Sequence, residues 1–91
     1  PANLQAVQEG AAIALTWTAV DAADLSGYIV LRGDGDGERL EPLMRDPVRG
    51  AVFRDTAVRP GATYVYSVYA VDNATVPNVS QQSNRQAVVV R

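Results

Sequence analysis

The run TYVYSVYAV, Thr63 to Val71, constrains the fold more than any other part of the chain. Tyr64, Tyr66, Val68 and Ala70 share one parity; Val65, Ser67, Tyr69 and Val71 share the other. Successive side chains of a strand point to opposite faces, so a strand apolar on both parities has both faces to cover. Its aromatic and β-branched content suits a pleated surface and gives no apolar stripe at helical spacing. The run is therefore read as a long β-strand that turns one face to a core and leaves an apolar face outside.

The rest of the chain supplies them. AIALTW sets Ile13, Leu15 and Trp17 against Ala14, Thr16 and Thr18, and GYIVLR sets Tyr28 and Val30 against Ile29 and Leu31. QAVVVR reads as a short β-branched strand, and LQAVQ, AVFRD and RLEPLM are weaker candidates. Turn signals separate them: Glu9-Gly10, Ser26-Gly27, the Gly-Asp repeats, Asp46-Pro47, Pro60-Gly61 and the polar stretch from Asp72 to Asn84. DAADLSG is too short for a stable helix and ends in glycine. About seven short strands spaced by turns predict an all-β, immunoglobulin-like antiparallel sandwich.

Composition narrows the function. Ninety-one residues make one domain, here expected to be a module cut from a longer chain. Cysteine and histidine are both absent, which removes disulfides, thiolate metal sites, imidazole bases and the commonest zinc ligand. The net charge of −2 and the lack of a basic stripe argue against nucleic acid. No apolar run is long enough for a membrane helix, so direct insertion is not expected. All eight basic residues are arginine and alanine is abundant, which reads as the codon bias of a GC-rich, bacterial genome.

Several pieces, in order, resemble the fibronectin type III family. PANLQA resembles its opening strand, AIALTW the second strand with its buried tryptophan, and DLSGYIVLR the third. FRDTAVRPGATYVYSVYAVD resembles the Pro-Gly turn that leads through a tyrosine into a long strand, and Ser80 to Ser83 the approach to the last strand. The resemblance implies a three-stranded sheet near residues 2–7, 11–18 and 51–55. It implies a four-stranded sheet near 27–33, 38–44, 63–72 and 85–91. Trp17, Tyr28, Tyr64 and Tyr66 then belong to the structural core with Val30 and Val68. Tyr64, four residues after Pro60, suits a tyrosine corner. Ile29, Leu31, Val65, Tyr69 and Val71 turn outward as an apolar face and a candidate interaction surface.

Other candidates are weaker. Arg32-Gly33-Asp34 spells an adhesive tripeptide, but Asp-Gly is a strong turn signal and the family's adhesive loop lies before the last strand. Asp34, Asp36 and Glu38 imitate the start of a calcium loop. That loop fails at Arg39, where it needs its turn glycine, and at Arg45, where it needs a bidentate glutamate. Asn73-Ala74-Thr75 and Asn78-Val79-Ser80 are glycosylation sequons in a polar loop. Asp21 and Asp24 stand without a base, a metal set or a phosphate cradle. The expectation is a non-catalytic module without cofactor or metal, acting as a spacer in an extracellular, cell-surface or periplasmic protein. Its partners would be neighbouring domains or another protein, with weak self-association possible through the apolar face. The alternatives are a ligand-binding or adhesion module using loops 33–38 and 72–82, and an accessory domain of a polysaccharide-degrading enzyme.

Overall fold

The computed structural model describes residues 1–35 and 39–91. Its strands are β1 (Ala2–Glu9), β2 (Ala12–Thr18), β3 (Leu25–Asp34), β4 (Glu41–Pro42), β5 (Val52–Asp55), β6 (Thr63–Asp72) and β7 (Gln86–Val89). They form a three-stranded sheet, β1-β2-β5, facing a four-stranded sheet, β4-β3-β6-β7, and every described pairing is antiparallel. The molecule measures 40 × 23 × 21 Å.

β6 is the spine of the larger sheet. It pairs with β3 along its length, from Leu25 opposite Asp72 to Asp34 opposite Tyr64, and with β7 along its first half. Its inward parity meets β2 and β1 to make the core, where Leu4, Ile13, Leu15, Trp17, Tyr28, Val30, Tyr64, Tyr66, Val68, Ala70 and Val90 are buried. Trp17 meets the ring of Tyr28 edge-on at 5.3 Å, a favoured aromatic geometry. The Tyr28 hydroxyl accepts the Val20 N–H at 2.7 Å and so fixes the start of the β2–β3 loop.

The Pro60-Gly61 turn is closed by the Ala62 N–H donating to the Arg59 carbonyl, with Gly61 at φ +86° where a Cβ would be strained. The Arg59 N–H donates to the Tyr64 hydroxyl at 3.1 Å, which completes a tyrosine corner.

Two side-chain amides stitch β1 to the last strand across the open side of the sandwich. Asn84 accepts the Leu4 N–H and donates to the Leu4 carbonyl. Gln8 accepts the Arg91 N–H and donates to the Arg91 carbonyl. Each amide supplies the pair of bonds that a neighbouring strand would, which blunts an edge otherwise free to recruit another chain.

Three expected boundaries change. The strand expected near 38–44 keeps only Glu41–Pro42, because the chain bows off the edge of β3 after Pro42 and returns at Val48, which exchanges both backbone bonds with Tyr28. The strand expected at 85–91 shortens to Gln86–Val89. Ahead of it, Ser80 and Ser83 use their hydroxyls to accept the Ala70 and Val68 N–H groups, and this irregular pairing is not a ladder. Ser26-Gly27, expected as a turn, lies inside β3 at its one irregularity.

Candidate functional site

Alternation sends Ile29, Leu31, Tyr69 and Val71 to the outer side of the larger sheet, where Ile29, Leu31 and Val71 form a second cluster separate from the core. They are not laid open: Ile29 and Leu31 are 5% exposed and Val71 is 9% exposed. Leu40, just ahead of β4, and Met44, carried by the chain that bows away from β3, pack over them with Tyr69. Val65 is also buried, outside this cluster, opposite Gly33 and Ala87. Full burial of an aliphatic side chain stabilises by about 1.5–3 kcal/mol, so the cover is itself part of the fold's stability. The accessible remainder is a groove of about 490 Å³ over Ile29, Tyr69 and Val71, walled by Arg45 and Pro47 on one side and Asn73, Pro77 and Val79 on the other.

The wall formed by residues 73–79 is built on Asp72. One carboxylate oxygen accepts the Ala74 and Asn78 N–H groups, and the other accepts the Asn78 side-chain amide at 2.8 Å. The Asn78 bonds, backbone and then side chain, hold the Asp72 carboxyl below its usual range. The Asn73 N–H donates to the Asp24 carbonyl and ties this loop to the β2–β3 loop. On this braced support Val76 is 82% exposed and Val79 61% exposed. A second hollow of about 240 Å³, lined in part by Val20, Leu25, Ala70 and Val79, lies on the other side of the same loop. Both sequon asparagines are exposed, and the side-chain amide of Asn78 is engaged by Asp72.

The opposite end of β6 is sealed by charge. Arg32 sits opposite Tyr66 on β3 and reaches Asp55 of β5, its Nη1 at 2.9 Å from Oδ2 and 3.2 Å from Oδ1. The same nitrogen donates to the Ala57 carbonyl, and the guanidinium lies 5.0 Å from the centroid of the Tyr64 ring. The Tyr66 hydroxyl donates to Asp55 at 2.7 Å, and the Ala57 N–H also donates to it. Burial, reinforced by Asp55, pushes the Tyr66 hydroxyl far above the usual phenol range. Burial opposes the charge on Arg32, but the bond and charge of Asp55 outweigh it and raise the guanidinium's pKa.

Arg32 of the Arg-Gly-Asp tripeptide is therefore an internal strut. Gly33 leaves room for Arg39 and Leu40, since a Cβ there would collide with both. Of the calcium candidates, Asp34 is exposed at the end of β3, and Asp36 and Glu38 lie outside the described residues, as does half of the 33–38 loop. Among the described residues, no three His, Cys, Asp or Glu side chains stand together as a metal-holding group. Asp21 and Asp24 are exposed.

Sequence reasoning missed Arg32, Asp55, Asp72 and Met44. A signal existed for two of them: Arg32 shares the parity of Tyr28 and Val30, and Asp55 shares that of Phe53. Both are charges on inward positions, and buried charges are paired.

No protein-family model matches the chain. Over 72 residues it is 35% identical to a segment of an amylopullulanase from Thermoanaerobacterium saccharolyticum, a match covering 79% of this chain but only 5% of that protein. Among solved structures it is similar to a Fn3-like protein from Clostridium thermocellum, with a TM-score of 0.80 and 27% identity over 100% of this chain and 91% of the other. It also matches part of pectate lyase PelI from Erwinia chrysanthemi, solved in complex with tetragalacturonic acid. That likeness has a TM-score of 0.74 at 22% identity, covers 93% of this chain and 27% of the lyase, and speaks to fold alone. Strand order, the tyrosine corner and these likenesses agree: the chain has a fibronectin type III-like fold.

Proposed function

We propose that this domain is a non-catalytic accessory module of a polysaccharide-degrading enzyme, holding a neighbouring domain in position. The observation that carries the reading is the place of its counterpart in the amylopullulanase, where it matches 5% of a much longer chain. The domain would work outside the cell membrane, because polysaccharides are too large to cross it.

The molecule suits positioning. Residue 2 pairs with Thr18 at the end that bears loop 72–80, and Arg91 is bonded to Gln8 at the other end, so the backbone runs from pole to pole of a body 40 Å long. Loop 72–80 and the groove beside it offer the docking surface. Val76, Pro77 and Val79 present aliphatic side chains on a braced loop, and an aliphatic, polar-rimmed surface fits a protein neighbour.

The test has two parts. The isolated domain, incubated with pullulan, amylopectin and polygalacturonate, should release no reducing ends. Removing the domain from its full chain should leave turnover of short oligosaccharides within about twofold and lower the melting temperature of the remaining domains, as expected when a bound neighbour is lost. Hydrolysis by the isolated domain, or a remainder that melts unchanged, would contradict the reading.

A further inference from the structure

Met44 is the only sulfur-containing residue in the chain, which has no cysteine. Its position is unusual. After Pro42 the chain bows away from β3, and the Leu43 N–H still donates to the Val30 carbonyl at 2.9 Å. In a regular antiparallel pair the Val30 N–H would return to a backbone carbonyl. It donates instead to the Met44 sulfur at 3.2 Å. A thioether, a weak acceptor, thus completes the edge of β3 at the point where β4 stops. The same side chain packs against both the core and the outer cluster of Ile29, Leu31 and Val71. It is half-buried and not sealed within the core.

From this geometry we propose that Met44 is a site of reversible oxidation by peroxide and that its sulfoxide loosens the cover over the outer apolar cluster. The sulfur attacks the peroxide, the O–O bond breaks, one oxygen stays on sulfur and the other leaves as water. Sulfur is oxidised by two electrons and the peroxide is reduced by two. The product carries a polar, chiral S=O group in a position lined by aliphatic side chains. The oxygen turns toward solvent, where water solvates it, and draws the sulfur off the Val30 N–H, so residues 43–47 are held to β3 by fewer contacts. The chemistry is reversible by methionine sulfoxide reductase.

The experiment uses the folded domain with hydrogen peroxide. Mass spectrometry should find one added oxygen, on Met44. The oxidised domain should melt roughly 4–8 °C lower, the shift that loss of one hydrogen bond gives in a domain of this size. The Val30 amide should exchange about fivefold faster, and the reductase should restore both readings. Met44→Leu, which keeps the apolar cover but has no sulfur, should respond to peroxide in neither. Complete oxidation with unchanged melting and unchanged Val30 exchange overturns the proposal. So does oxidation that proceeds only at the rate of global unfolding. Should Met44→Leu fold poorly, the reductase reversal on the wild-type domain decides between the same two outcomes.

Discussion

The two ends of β6 have been given opposite treatments. At its start, Arg32, Asp55, Tyr64 and Tyr66 interlock, and Asp55 is 3% exposed. At its finish, Asp72 braces a loop that lifts Val76 and Val79 into solvent. Both ends use one carboxylate as a hub. The first hub lies inside and accepts donors from three directions, so it closes the gap between the two sheets. The second lies outside and organises a loop without covering it. A buried hub secures the fold; an exposed hub shapes a surface.

The largest effect that would break this contrast comes from the buried hub. Asp55→Ala leaves Tyr66 without its acceptor and Arg32 without its counter-charge and should cost about 3–5 kcal/mol in urea unfolding, the range for breaking a buried charged pair. That is a large part of the roughly 5–15 kcal/mol available to a domain. A loss below about 1 kcal/mol would place Asp55 among ordinary surface ion pairs. Tyr64→Phe is milder. It removes the hydroxyl that accepts the Arg59 N–H but keeps the ring under Arg32, so about 0.5–1.5 kcal/mol should be lost by the same measurement.

Acid separates the ends further. The Asp72 carboxyl is held below its usual value by its Asn78 bonds, so its bracing is in place above the ordinary carboxylate range and is lost as pH falls through the lowered value. Protection of the Ala74 and Asn78 amides, taken relative to the intrinsic exchange rate at each pH, should fall below about pH 4, with loop 72–80 loosening first. Val76→Ser should have the smallest effect on stability, within about 0.5 kcal/mol, because the side chain is already in water.

Much of this was legible in the sequence. Alternation in Thr63–Asp72 and Leu25–Asp34 puts Tyr28, Val30, Tyr66 and Val68 on the inner side, where they are buried, and the spacing from Pro60 to Tyr64 finds the corner. Parity says which side a residue faces and nothing about what lies over it. Ile29 and Leu31 face outward and are nevertheless covered, because Leu40 arrives just ahead of β4 and Met44 from a segment whose bow depends on where β4 stops pairing. Arg32 was read from its neighbours Gly33 and Asp34 as part of a turn, although its own parity put it inside. The partnership with Asp55 spans 23 positions and two sheets, and no local pattern encodes it.

The central claim is that loop 72–80 is the end that meets a partner and that the Arg32 end is structural. Backbone amide shifts of the isotope-labelled domain, recorded alone and joined to its adjoining domain, test it directly. The account predicts shifts concentrated at Tyr69, at Val71 to Ser80 and at the facing Arg45–Val48 wall, with Arg32, Asp55 and Tyr66 unmoved. Shifts concentrated at Arg32 to Gly35 and Arg39 to Glu41, with loop 72–80 silent, would contradict it.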